Sequence, residues 1–341
     1  MQHFRLSFLV TLFCLAIAFW WGGAVAVYIA LILAVLEVSL SFDNAVVNAA
    51  VLKKMSVRWQ HYFLTWGILI AVFGMRLILP VLIVSVATGI DFVAVAKMAL
   101  EDPATYSHHL ESVHVEIAAF GGMFLLMVFF AFILDDSKEL HWLGHVEERL
   151  STLGRLKAIE VILALSLLLI MRQWLPDVIR ERALVAGISG LILYVIVDSF
   201  SELFEDEQDD TDVADIMKKS GLMSFIYLEI LDASFSFDGV IGAFAITQDV
   251  IIIMLGLAIG AMFVRSLTVY LVNKGTLDQY VYLEHGAHYA IGVLAGIMLL
   301  SIRYHISEVV TGSIGAVLII LSVISSIRYN KKEFIDSGRE D

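Results

Sequence analysis

Glu37, Asp43 and Asn44 lie inside an apolar run, residues 24–52, in the octet Glu-Val-Ser-Leu-Ser-Phe-Asp-Asn. A charged side chain at mid-bilayer costs about 2.5–3.5 kcal/mol on insertion scales, so a chain that keeps one there has a use for it. A second octet, Asp-Ala-Ser-Phe-Ser-Phe-Asp-Gly, spans residues 232–239 of another apolar run. Aligning Glu37 with Asp232 pairs Ser39 with Ser234, Ser41 with Ser236, Phe42 with Phe237 and Asp43 with Asp238. The candidate ligands are Glu37, Asp43, Asn44, Asp232 and Asp238, supported by Glu229, Ser39 and Ser234. All are oxygen donors, which suit hard or borderline divalent cations: Mn²⁺, Mg²⁺ or Ca²⁺. With neither thiolate nor imidazole in the motif, zinc and copper fit less well. Such a concentration of acid needs a cation, a proton or a counter-ion, and Arg76 and Arg265 are placed to compensate charge. The plainer alternative is a pair of buried acid–arginine contacts that hold helices together. Duplication of acid, serine and acid at one spacing favours a shared site.

Helix geometry constrains that site. Six residues at about 100° each separate Glu37 from Asp43 by about 600°, so an unbroken helix does not put both on one face. Unwinding near Ser41–Asn44 would bring them together, and Gly239 suits a similar break in the second stretch. Glu229, Asp232 and Ser236 are spaced three and four apart and share a face.

The elements that must position these residues are membrane helices. The chain has 341 residues, 60% of them hydrophobic and 17% charged, with a mean hydropathy of +0.86. Apolar runs of membrane-spanning length recur throughout, so the fold class is all-α and polytopic. The single cysteine, Cys14, excludes a disulfide framework within one chain. A net charge of −13 argues against nucleic acid as a partner and suits the handling of cations. The partners expected are the lipid bilayer and a metal-ion substrate, with no prosthetic group; a homo-oligomer is compatible with the sequence.

The pattern predicts about ten transmembrane helices. Residues 1–23 form an extra N-terminal helix, ended by Gly22-Gly23. Residues 24–200 form a first half carrying the 37–44 motif, and 201–219 an acidic cytoplasmic linker rich in Asp and Glu. Residues 220–330 form a second half with the 229–239 motif, and 331–341 a polar tail. Lys and Arg cluster in alternate loops, which places both termini in the cytoplasm. The two motifs then cross the membrane in opposite senses, so spans 2–4 and 7–9 are expected to form an inverted repeat with the ion at its centre. Other candidates are weaker. His141, His145 and Glu148 have helical ligand spacing but lie in a charged loop, where a solvated face is the ordinary reading. His108, His109, Glu111, His114 and Glu116 read as a polar loop entering a helix.

At Glu37, Asp43-Asn44, Asp232, Asp238, the following Ala243-Phe244-Ala245-Ile246-Thr247 and Arg265, the chain resembles the TerC-like integral membrane proteins of the LysE-like transporter superfamily. It departs from them at Gly239, where a serine is usual. The resemblance implies an exporter of divalent metal, chiefly Mn²⁺, in the bacterial inner membrane. Proton movement onto the same carboxylates is a plausible drive. The rival readings are an exporter of an amino acid or other organic cation, and a non-transport scaffold acting through its acidic loop. No nucleophile–base set, zinc-protease motif or phosphate loop stands among the spans, so no enzyme is expected.

Overall fold

The computed structural model describes residues 4–156, 158–205, 213–304, 306 and 308–337. Regular structure among these residues is helical throughout: α1 (Arg5–Leu40), α2 (Phe42–Lys54), α3 (Val57–Leu69), a π-helical segment (Ile70–Ile78), α4 (Leu79–Thr88), α5 (Phe92–Glu101), α6 (Pro103–Ser112) and α7 (His114–Ile133). The chain continues through α8 (His145–Leu153), α9 (Ile159–Trp174), α10 (Asp177–Glu205), α11 (Val213–Ile246), α12 (Val250–Asn273), α13 (Thr276–Gln279), α14 (Leu283–Ser301) and α15 (Glu308–Ser337).

Among the described residues, six helices are long and apolar enough to cross a membrane, or seven if one bent pair counts as a span. This is a membrane-embedded protein, but the expectation of about ten spans is corrected. The apolar stretch of residues 59–86 is divided into α3, the π-helical segment and α4. Residues 73–88 then bend by 119° onto α5. Residues 92–112 fold into the short helices α5 and α6, each started by an aspartate whose carboxylate accepts from backbone N–H. α9 has only 16 residues, too few to count among the six. The acids Glu229, Asp232 and Asp238 interrupt the apolar run of α11, which is not among the six. The inverted repeat is also corrected: no such pairing emerges among the described residues. The first acidic stretch is broken between α1 and α2 at Ser41, whereas the second runs along one unbroken helix with no break at Gly239. The acidic linker is described in part. Residues 206–212 are not described at all, nor are the side chains of 201–220.

α1 doubles back at Gly22–Gly23, where Gly23 has φ 67°, in the left-handed region that glycine tolerates. The contacts with α12 show the reversal. Phe8 packs on Phe263, Ser7 hydrogen-bonds the Met262 carbonyl, and Trp21 reaches Asp249, so the first limb runs antiparallel to α12. Beyond the glycines, Ala30 and Leu33 meet Gly256 while Ala34 and Glu37 meet Gly260, so the second limb runs parallel to it. Both limbs pack against α12 in one apolar core, which includes Ala18, Ala30, Leu33 and Ile253. A second core joins α2, α7, α9, α10, α11, α12 and α14 around Phe124, Met123, Leu168, Leu231 and Ile291.

At one end of this second core, Glu147 of α8 is fully buried. Lys138 Nζ donates to its carboxylate at 2.9 Å, the Leu143 backbone N–H at 3.2 Å and the Tyr289 hydroxyl at 3.3 Å. His285 Nε2 stands 3.4 Å away. Burial alone would raise the Glu147 carboxyl, but hydrogen bonding from His285, Lys138 and Leu143, with the charge of Lys138, outweighs it and holds the group at about 2. A depressed carboxylate stabilises the fold above its ordinary value of 4.5, and that contribution is lost as pH falls towards 2. We expect Glu147→Gln to speed backbone hydrogen exchange across residues 135–156 at neutral pH. With rates referred to the intrinsic rate at each pH, acidification to about pH 3 should partly reproduce this loss of protection in the wild type; unchanged protection in the variant would count against the cluster as a clamp.

Candidate functional site

Five segments converge on a small polar cavity. The second limb of α1 brings Glu37, and Ser41 sits at the break that follows. α2 contributes Asn44 and Asn48, four residues apart on one face. α11 contributes Asp232 and Ser236, again four apart, and α12 contributes Val264, Arg265 and Thr268. The π-helical segment contributes Ala71 and Arg76. Pro80, two residues after that segment, has no N–H to offer the carbonyl of residue 76, which helps account for the departure from α-helical pairing there. The cavity measures about 30 Å³. A water needs about 10–15 Å³ on this measure, so the space suits one or two waters or a bare ion.

Arg76 forms a buried ion pair with Glu37 Oε1, and the Ser41 hydroxyl donates to the same oxygen at 3.1 Å. Glycines make the space for this carboxylate. A Cβ at Gly239 would lie 2.8 Å from Glu37 Oε2, and one at Gly260 would collide with Cβ and Cγ of Glu37. The glycine where the resemblance expects serine thus stands where Glu37 needs the room.

On the other wall, Arg265 Nη1 lies 3.7 Å from Asp232 Oδ2, and Nη2 lies 3.6 Å from Glu229 Oε1. Both are ion-pair distances too long for hydrogen bonds. The guanidinium stacks 3.7 Å over the Phe63 ring. Gly67 permits this approach, since a Cβ there would stand 2.6 Å from Glu229 Oε1 and 2.7 Å from Arg265 Nη2. Asn48 Nδ2 donates to Asp232 Oδ1 at 2.6 Å. Three oxygens on the cavity-lining residues have no hydrogen-bond partner: Asn44 Oδ1, Asn48 Oδ1 and Ser236 Oγ. Buried acceptors of this kind are costly unless something donates to them or is coordinated by them.

The expected ligands thus divide. Glu37, Asn44 and Asp232 line the cavity, with Arg76 and Arg265 paired to acids around it. Asp43 does not: it accepts the Asn44 backbone N–H at 3.0 Å and faces α15, where a Cβ on Gly315 would lie 3.5 Å from its carboxylate. The break at Ser41 leaves Asp43 at the first turn of α2, on a different face from Asn44. Ser39 is exposed and donates to the Val35 carbonyl; Ser234 donates to the Ile230 carbonyl. Both hydroxyls are committed to their own helices. Glu229 reaches the site only through Arg265 and lines a separate apolar cavity. The side chain of Asp238 lies outside the described residues. Asn48, Ser41 and Ser236 were not among the expected ligands. The i, i+4 spacing of Asn44 and Asn48 within an apolar run was the signal that could have found Asn48.

Among the described residues, no group of three or more His, Cys, Asp or Glu is placed to hold a metal ion. His145 and Glu148 are exposed and 4.0 Å apart.

Searches of curated proteins and of solved structures find no match to this chain. Residues 42–333 match a family model described as Protein of unknown function (DUF475), not one named for the TerC-like or LysE-like proteins. The match covers most of the chain and includes every cavity-lining residue except Glu37 and Ser41. The chain therefore belongs to the DUF475 family.

Proposed function

We propose that this protein exports a hard divalent cation, Mn²⁺ first, across the bacterial cytoplasmic membrane, with both termini in the cytoplasm. The observation that carries the reading is the 30 Å³ cavity, where three unpartnered oxygens accompany the carboxylates of Glu37 and Asp232. Asn44, Asn48 and Ser236 would add neutral oxygen donors to those two carboxylates, a mixture that suits Mn²⁺, Mg²⁺ or Ca²⁺. Glu37 and Asp232, with Glu229 paired to Arg265 from outside the cavity, are three carboxylates set against the two guanidiniums of Arg76 and Arg265. The surplus negative charge is the drive for taking up a cation or a proton. In the proposed cycle, the arginines hold Glu37 and Asp232 until the ion competes for them, and protons replace the ion on the return. The resemblance to TerC-like proteins at these same residues supports metal as cargo. A cavity of this size disfavours an amino acid here, since small-molecule pockets run to about 300–1,000 Å³. The scaffold reading rests on the acidic segment, whose side chains lie outside the described residues.

Cellular Mn, Mg, Ca, Zn and Fe content, measured by elemental analysis with and without the protein, tests the proposal. Cells expressing it should hold less Mn, and Asp232→Asn should abolish the difference. Asn48→Leu removes a charge-assisted hydrogen bond worth about 1.5–3 kcal/mol and should weaken Mn²⁺ affinity by about tenfold or more. Unchanged Mn in wild-type cells, or full export by Asp232→Asn at equal membrane abundance, sinks the assignment.

A further inference from the structure

A second, larger cavity of about 670 Å³ lies between the π-helical segment, α4, α7, α10 and α11. Its walls are almost wholly apolar, with Met75, Ile83, Phe120 and Phe225 among them. Three side chains are exceptions. The Ser234 hydroxyl is already committed to the Ile230 carbonyl. Glu229 is only 7% exposed, and neither of its carboxylate oxygens has a hydrogen-bond partner. Its ion-pair partner, Arg265, stands at 3.6 Å and is shared with Asp232. Glu116 gives Oε1 to Arg182, while its buried Oε2 is unpartnered.

We propose that this cavity binds a lipophilic organic cation, one positive charge on a bulky apolar body, with the charge directed at Glu229. The volume is that of a small-molecule pocket. Apolar walls offer a hydrated metal ion nothing in exchange for its water, so this is not a second inorganic site. A lipid acyl chain would match the walls but leave the Glu229 and Glu116 oxygens without a partner. A lipophilic cation matches the walls with its body and offsets the charge of Glu229 with its centre, and Phe120 and Phe225 supply faces for cation–π contact. The ligand meets a different cavity from the metal, to which Glu229 is connected through Arg265.

Equilibrium dialysis of the purified full-length protein with tetraphenylphosphonium tests it. We expect saturable binding at one site per chain, weakened at least tenfold by Glu229→Gln and restored in part by Glu229→Asp. Ala233 also lines the cavity, so Ala233→Phe should fill it and reduce binding while the carboxylate stays in place. This second variant keeps the test decisive if Glu229→Gln is poorly folded. Absent binding, binding that both variants leave unchanged, or equal displacement by a neutral fatty alcohol and by a second lipophilic cation would overturn the proposal. The last of these results would assign the cavity to lipid.

Discussion

Glu37→Met is expected to leave the Arg76 guanidinium buried without its partner and to destabilise the protein by about 3–5 kcal/mol, the usual consequence of removing one member of a buried ion pair. Arg76→Met should cost a comparable amount for the converse reason, with the Glu37 carboxylate stranded beside Ser41. The double variant Glu37→Met/Arg76→Met is the informative one. Replacing a whole buried pair with apolar side chains of similar volume is often neutral or stabilising, so unfolding in detergent should return to near the wild-type midpoint. Mn²⁺ export should nevertheless remain absent, because the cavity has lost one of its two carboxylates. A double variant that recovers both stability and export would show that Glu37 only holds helices together. One that recovers neither would show that the pair is not what fixes α1 against the π-helical segment.

The second large effect is expected at the contact between α12 and the second limb of α1. Gly256 and Gly260 are four residues apart, and both lie against this limb. Small residues at such spacing let helix backbones approach closely in a membrane, where apolar burial against lipid gives little drive. A Cβ at Gly256 would stand 2.6 Å from Leu33 Cβ and 2.9 Å from the Ala30 carbonyl oxygen. The carbonyl belongs to the backbone and cannot swing aside, so the limb must move. Gly256→Ala should therefore cost about 1–3 kcal/mol, as overpacking commonly does. Gly260→Ala should cost a similar amount and also displace Glu37 from Arg76, abolishing export even where folded protein survives. Gly296 of α14 is the control. A Cβ there meets nothing within 4 Å, and Gly296→Ala should be neutral or slightly stabilising, since alanine favours helix over glycine by about 1 kcal/mol. Thermal unfolding of the three variants beside the wild type, with Mn content of the expressing cells, checks the order. If Gly256→Ala and Gly260→Ala match Gly296→Ala, the close approach is not an essential contact.

The reading of residue types carried furthest where a side chain was out of place in its run. Glu37 and Asp232 within apolar sequence marked the site. Arg76 and Arg265 were identifiable as counter-ions because a buried acid needs one. The backbone break near Ser41 followed from the poor fit of Glu37 and Asp43 to a single helical face. Asp43 is the exception: the break does not bring both acids inward, because α2 starts at once after Ser41 and presents Asn44 and Asn48 to the cavity instead.

What sequence alone determined about this protein is its solvent and its chemistry: helices in lipid, with oxygen donors and cations confined to a few positions. Composition suffices for that, because an ion in hydrocarbon is costly whatever the fold. Only the tertiary structure decided the number of long apolar helices, the doubling back of α1 along α12, and which donors share a cavity. A helix apolar on every side carries no periodic stripe to say which face meets protein and which meets lipid. That choice falls to close packing, to a glycine at 67, 239, 256 or 260 whose missing Cβ is filled by a residue far away in the chain.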